Sequence, residues 1–187
     1  MELELKLESE ELGALVAITV VIISVFLAVV KLKDENTIQG MQHTQVAAVD
    51  TWNQYQAERI KLHTDENDSA SLKLHAGFGG ADAAALDGEA KRLQSKMQHY
   101  DSESGALMKQ AKADEARYET LEFRHDQFDM ADALCSLALA LAAVAALTAR
   151  RSLLYISWGA GACGTVLGLA GMIGWSLNPE WLAQFLG

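Results

Sequence analysis

Cysteine and clustered positive charge are both scarce in this sequence, and each scarcity excludes a class of function. The chain of 187 residues has two cysteines, Cys135 and Cys163, and both lie within apolar runs. A free cysteine in such a run usually packs as a small apolar side chain, so we expect neither a disulfide nor a cysteine-bound metal. Lysine and arginine form no basic stripe in a chain whose net charge is −10. Since phosphate binding needs clustered cations, no nucleic acid is expected as a main partner.

Sequence signatures of catalysis are also missing. The chain contains no phosphate-binding glycine loop, no dinucleotide-binding glycine pattern, no nucleophile elbow, no HExxH and no CxxC motif. Its five histidines are scattered along the chain. His125 lies close in sequence to Asp126 and Asp129, and this group could hold a cation, but acidic residues at a helix entry are usually solvated. We therefore expect no enzyme, no catalytic residue, no cofactor and no metal.

The apolar residues, in contrast, are concentrated in three uncharged runs at 12–30, 133–149 and 152–175. As a helix, the first run is about 28 Å long, close to the thickness of the hydrocarbon core of a bilayer. The tail before it, 1–11, is acidic, which does not fit a cleaved signal peptide, so we interpret the run as a retained anchor. Tryptophans near the proposed interfaces agree with three transmembrane helices: Trp158, Trp175 and Trp181.

The third apolar run has glycines at spacings of three, four and three, which places them on one helix face: Gly161, Gly164, Gly168 and Gly171. Small residues let transmembrane helices approach closely. This face is predicted to pack either against the alanine-rich second run of the same chain or against another copy. None of the three runs contains an ionisable side chain, which disfavours a proton or ion relay.

The charged region 31–132 is predicted to be an extramembrane helical hairpin whose connection lies at about 64–82, where polar residues and glycines accumulate. Its second helix has apolar positions at alternating steps of four and three, interrupted at Ser104, Asp114 and His125, and Asp101–Gly105 could break it. Such a heptad pattern indicates a coiled coil, formed either within one chain or between chains. The residues predicted to pack in this stalk are Trp52, Tyr55, Leu86, Leu93, Met97, Tyr100, Leu107, Tyr118, Leu121 and Phe128.

The first helix of the hairpin contains the segment "WNQYQAERIK". Met41, Gln45, Ala48, Trp52 and Tyr55 follow the same rhythm of four and three, so the two aromatic side chains are predicted to face the second helix. Other faces carry a strip that could contact a partner: Gln54, Gln56 and Lys61.

The topology follows from three membrane crossings. They place the N-terminus and the Arg150–Arg151 turn on one side of the membrane, and the hairpin and the C-terminus on the other. The arginine pair in this short turn favours the cytoplasm for the first side, so the stalk is predicted to be periplasmic if the source is a Gram-negative bacterium. Residues 178–187 are predicted to form a short helix lying in the membrane interface.

A resemblance to a known family rests on "DTWNQYQAERIK", Asp50 to Lys61. This segment resembles the signature D-x-W-x-x-Y-Q-A-x-x-I-K of domain-of-unknown-function family 4337, a family of bacterial membrane proteins. Arg59 departs from it, because a small or polar residue is more usual there. The order of one N-terminal span, this motif, a charged helical region and a C-terminal hairpin of spans is similar along most of the chain. The resemblance implies an architecture and no activity.

The sequence therefore predicts an all-α integral membrane protein with three transmembrane helices and a long helical-hairpin, coiled-coil stalk, located in the bacterial inner membrane. Its expected role is a non-enzymatic scaffold or accessory subunit. Its expected partners are membrane lipid, further copies of itself in a homo-oligomer, and other membrane-complex subunits. The alternative is a homo-oligomeric channel whose stalk forms a vestibule.

Overall fold

Three α-helices make up the part of the chain that the computed structural model describes, residues 2–77 and 83–175. They are α1, Glu2–Gly77, α2, Ala83–Thr148, and α3, Arg151–Ile173. These residues include no β-strand, which confirms the all-α prediction. The interfacial helix predicted at 178–187 lies outside the described residues.

Each of the three helices contains a stretch that is long and apolar enough to cross a membrane. The turn between α2 and α3 is short because Ala149 adopts a left-handed backbone with φ of 50°, and the N–H of Arg150 then donates to the carbonyl of Ala145 at 3.3 Å. At its other end α3 terminates at Gly174, also left-handed with φ of 74°. This is the common glycine ending of a helix.

One compact unit combines the N-terminal part of α1, through Met41, with the chain from Glu119 onward. Its core consists of three buried clusters along the bundle, in which small side chains of α2 let the helices approach. Leu12 packs in the same cluster as Ala145, whereas Val30 packs in the same cluster as Phe128. As the residue numbers rise along α1, those of the contacting residues on α2 fall, so these two helix segments are antiparallel.

The other compact unit, Gln42–Tyr118, is a pair of helix segments from α1 and α2. Trp52 contacts Glu115, and Arg59 contacts Asp101, so this pair is antiparallel as well. The buried positions recur at steps of three and four or at sums of such steps: Thr44, Ala48, Thr51, Leu62 and Asp65 on α1, and Leu93, Ser104 and Ala111 on α2. In the described chain, the heptad pattern of α2 therefore packs against α1 of the same chain.

The predicted connection at about 64–82 is wrong for its first part, because α1 continues to Gly77. The polar residues of this stretch are compatible with a helix because most of their side chains point to solvent, and the Thr64 hydroxyl donates to the carbonyl of Ile60 at 2.9 Å. Leu62 and Asp65 are buried on the inner face, so helix packing extends past the point where composition alone indicates a loop.

Two further expectations about the hairpin differ from the structure. Asp101–Gly105 does not break α2; the Ser104 hydroxyl donates to the carbonyl of Asp101 at 2.9 Å and thus satisfies itself within the helix. On α1, Gln45 is exposed and Thr44 takes the buried position. Alternating steps of four and three are compatible with a packing position at either residue. The contacts with α2 determine that Thr44 is the buried one.

Candidate functional site

The segment Trp52–Lys61 on α1 turns its aromatic side chains towards α2. The indole N–H of Trp52 donates to Oε1 of Glu115 at 2.8 Å. The ring of Tyr55 stands edge-on to that of Trp52, with 5.4 Å between centroids and an interplanar angle of 84°. Both rings are half-buried, so this part of the segment lies in the contact between the two helices, where the sequence predicts it.

The three residues predicted to face a partner differ in their surroundings. Gln54 and Gln56 are exposed. Lys61 is engaged with its own chain: its ammonium lies 2.5 Å from Oε1 of Glu58 and 5.6 Å from the centroid of the Tyr100 ring. The hydrogen bond to Glu58 raises the pKa of Lys61 above its ordinary value. The two amides are thus open to solvent, whereas the lysine is already paired.

A further surface of α1 has no counterpart in the sequence predictions. Among the described residues of 42–118, the exposed large apolar side chains all belong to α1: Val46, Val49, Ile60 and Leu74. With Asn53 and Gln56, the first three form the outer stripe, Val46, Val49, Asn53, Gln56 and Ile60, at steps of three and four. The signal in the sequence is the spacing of seven from Val46 to Asn53 and from Asn53 to Ile60.

The predicted packing positions of α2 are all buried or half-buried. Leu93 and Phe128 are buried, and the half-buried ones are Leu86, Met97, Tyr100, Leu107, Tyr118 and Leu121.

A polar cluster in the other unit joins α1 to α2. Nδ1 of His125 lies 2.6 Å from Oδ1 of Asp34 on α1, and Nε2 lies 3.7 Å from Oδ2 of Asp129. Beside them, the ammonium of Lys31 lies 3.6 Å from Oδ1 of Asp132. Asp34 is far away in sequence, and its presence here depends on the antiparallel packing of the two helices.

The electrostatics of this cluster favour a charged imidazole. Burial lowers the pKa of His125, but the hydrogen bond to Asp34 and the negative charges of Asp129, Asp34 and Asp126 outweigh it, so the pKa lies above its ordinary value. Burial raises the pKa of Asp129, and the neighbouring carboxylates add to this effect, although the charge of His125 opposes it. The arrangement is that of an ion pair in which one imidazolium bridges two carboxylates.

The same side chains of Asp34, His125 and Asp129 place their possible ligand atoms within 4.8 Å of one another. Two features disfavour a shared cation. The two imidazole nitrogens face different carboxylates, and a nitrogen that carries a proton cannot be a ligand. In addition, Lys31 lines the adjoining cleft together with Asp34 and Asp129, and its charge repels a cation.

The glycine face of α3 packs against the other two helices of its own chain. A Cβ added at Gly164 would lie 2.8 Å from Sγ of Cys135, and one added at Gly168 would lie 2.8 Å from Cζ of Phe26. Gly161 meets Ile23 and Ala138, and Gly171 meets Phe128. Of the two packing arrangements that the sequence allows, the described chain therefore contains the one within a single molecule.

Two hydrogen bonds in the apolar stretches join different helices. The Ser157 hydroxyl donates to the carbonyl of Ala138 at 2.6 Å, and the indole N–H of Trp158 donates to Oγ1 of Thr19 at 2.8 Å. Such bonds stabilise helix association in a lipid environment, where water cannot compete for them.

The family model described as "Domain of unknown function (DUF4337)" matches residues 12–174. No curated protein and no solved structure matches the chain.

Proposed function

The chain belongs to the DUF4337 family of domains of unknown function, and on that premise we propose that it is a non-enzymatic integral membrane protein that serves as a structural scaffold or accessory subunit. The continuity of its two long helices carries the proposal. α1 has 76 residues and α2 has 66, and each continues from an apolar stretch into a charged one as a single helix. A helix of this length offers a partner a long exposed surface.

Three apolar helices support the membrane location. The proposed topology is multi-pass in the bacterial cytoplasmic membrane, with the N-terminus in the cytoplasm and the stalk, 31–132, in the periplasm. Arg151, at the start of α3, lies 3.6 Å from Glu11 on α1, which supports a common side for the N-terminal tail and the arginine turn.

The membrane location can be tested on the full chain in isolated bacterial membranes. We expect the protein to stay in the pellet after alkaline carbonate extraction and to be released by detergent, whereas release by carbonate would overturn the proposal. For the topology, Cys135 and Cys163 are replaced by alanine and single cysteines are introduced by Gln54→Cys and Ser152→Cys. A membrane-impermeant maleimide applied to cells with a permeabilised outer membrane should label position 54 and not position 152. The reverse result would place residues 42–118 in the cytoplasm.

The scaffold role predicts stable association with other chains. We expect cross-linking in intact membranes, followed by mass spectrometry, to yield species heavier than one chain of 20.3 kDa, composed of copies of this chain, of other membrane subunits, or of both. If the chain stays monomeric in its own membrane at native abundance, a scaffold or accessory role is excluded.

The alternative role as a homo-oligomeric channel has less support. The glycine face of α3 is occupied within the chain, so a pore would have to be lined by other faces. A channel predicts conductance from purified protein in planar bilayers. Silent bilayers with a folded oligomer would remove this alternative.

A further inference from the structure

We propose that the outer stripe of α1 is a homotypic interface, through which two copies of the chain pair with their α1 helices side by side and parallel. This inference deepens the proposed scaffold role by naming a partner, a second copy, and the surface that binds it. Only the parallel orientation of the pair depends on the proposed membrane location.

The stripe lies on the side of α1 that faces away from α2. At about 100° per residue, Val46, Val49 and Ile60 project opposite to the buried positions Ala48 and Leu62. Their exposed fractions are 62%, 54% and 66%, against 8% and 5% for the two buried ones. α1 thus carries apolar positions on two opposite faces, and within the described chain only one of them is covered.

The spacing of the stripe suits another helix. Val46, Asn53 and Ile60 are seven residues apart, and Val49 and Gln56 fall between them at the complementary heptad position. This is the pattern by which a helix packs along a second helix. A single isolated valine on a surface would need no explanation, but exposed apolar residues confined to one face of one helix do.

The chemistry of the stripe favours a second copy of the same chain over an unrelated helix. In a symmetric pair each residue meets its own counterpart or a near neighbour. The side-chain amides of Asn53 and Gln56 contain both a donor and an acceptor, so each can hydrogen-bond to its equivalent across the axis. A carboxylate or an ammonium could not, and the stripe contains neither, although the net charge of the chain is −10.

Two arguments favour the parallel orientation. Copies inserted in one membrane share a topology, and a two-fold axis along the membrane normal, the symmetry that this allows, gives parallel pairing of helices that run along that axis. In parallel two-stranded coiled coils, β-branched residues are favoured at the position that Val46 and Ile60 occupy here, and an asparagine there, as at Asn53, fixes register and copy number. The flanking pairs that this register creates, Gln45 with Asp50, Trp52 with Ala57 and Arg59 with Thr64, contain no like charges.

Cysteine cross-linking in intact membranes tests both the surface and its orientation. Cys135 and Cys163 are replaced by alanine in the full chain, and Val46→Cys, Asn53→Cys and Ile60→Cys are then made singly. Gln54→Cys is the matched control, since Gln54 is exposed and adjacent to Asn53 but lies outside the stripe. We expect a disulfide-linked dimer from each stripe position under mild oxidation, and about tenfold less or none from the control, because cross-linking falls steeply once Cβ atoms are more than about 4.5 Å apart.

The outcomes separate the alternatives. If Val46→Cys and Ile60→Cys cross-link with each other and not with themselves, the pair is antiparallel and the proposed orientation is wrong. If the stripe cysteines yield no dimer, or link only to a different protein, the proposal that the partner is a second copy is wrong. In either case, retention in the carbonate-resistant membrane fraction shows that the proposed membrane location survives.

A charge-swap experiment tests the same surface without cross-linking. Val49→Glu places two carboxylates against each other and should weaken pairing by more than about a hundredfold, since juxtaposed like charges are strongly unfavourable. Val49→Lys should do the same. Co-expression of the two variants with different affinity tags should restore pairing between them. Pairing of Val49→Glu with itself at the wild-type level would overturn the proposal, and an unchanged helical circular dichroism spectrum establishes that the variant is folded.

Discussion

Gly164 marks the closest approach between α2 and α3, and adding a single methyl group there should destabilise the protein. A Cβ at this position would lie 2.8 Å from Sγ of Cys135 and 3.1 Å from both the carbonyl oxygen of Ala131 and Cβ of Leu134. The last two atoms are fixed to the backbone of α2, so they cannot move unless the helix moves. Gly164→Ala therefore forces the two helices apart along their contact.

The magnitude can be obtained by comparison with a matched glycine in the same helix. An added Cβ at Gly159 would meet nothing within 4 Å. Both substitutions gain the helix propensity of alanine over glycine, about 1 kcal/mol, so their difference isolates the steric cost. Overpacking a well-packed contact costs about 1–3 kcal/mol. We therefore expect Gly164→Ala to be less stable than Gly159→Ala by about that amount.

The measurement is equilibrium unfolding in detergent micelles, followed by far-ultraviolet circular dichroism, for wild type and both variants. Gly159→Ala should unfold at the same or a higher denaturant concentration than wild type, and Gly164→Ala at a lower one. Equal midpoints for the two variants would refute the close approach of α2 and α3. Gly168→Ala should fall between them, because the atoms it meets first are at the far end of the Phe26 side chain, which can shift more easily than a backbone atom.

The remaining predictions concern polar contacts and an open glycine. Trp52→Phe removes the hydrogen bond to Glu115 and should cost about 0.5–1.5 kcal/mol in the free energy of unfolding, whereas Gln54→Ala, at an exposed neighbour, should cost less than about 0.5 kcal/mol; equal costs would contradict the contact. His125 has a raised pKa, so its stabilising contribution should be complete below the ordinary value of 6.5 and be lost as the pH rises through the folded-state value. The pH dependence of unfolding should be smaller in His125→Gln, and an unchanged dependence would exclude this ion pair as its source. Gly105→Ala should raise stability by up to about 1 kcal/mol, since nothing lies within 4 Å of the added Cβ. A lower melting temperature than that of the wild type would indicate a contact there.

The architecture could be predicted because it depends on composition and period. Uncharged runs of sufficient length predict the three apolar helices, and alternating steps of four and three identify the positions of α2 that pack, from Leu86 to Phe128. Both signals are local: each depends on residues within one helix. The predicted end of α1 is wrong for the same reason, because the polar residues after Thr64 have the composition of a loop, whereas the helix continues with Asp65 buried on its inner face.

The contacts between helices could not be predicted in the same way. Asp34 and His125 are on different helices, and only the antiparallel register brings them together. On α1 one predicted position is wrong, since Thr44 is buried in place of Gln45. A step of three and a step of four from Met41 are both compatible with Ala48 as the next position, and α1 also has apolar positions on two faces. A sequence pattern reveals that both faces exist, and it does not specify which of them α2 covers.

Both features that the sequence offers as contacts between copies, the heptad positions of α2 and the glycine face of α3, are occupied within one chain. Association between copies must therefore use surfaces that have a weaker sequence signal, such as the outer stripe. Three apolar residues per copy bury little area, and association in dilute solution costs about 4–15 kcal/mol in lost translation and rotation. Copies confined to one membrane have a much higher effective concentration, which reduces that cost. The pairing should consequently be strong in the membrane and weaken on dilution into detergent, whereas a stripe rich in leucine would pair in both and would also expose the free chain to aggregation.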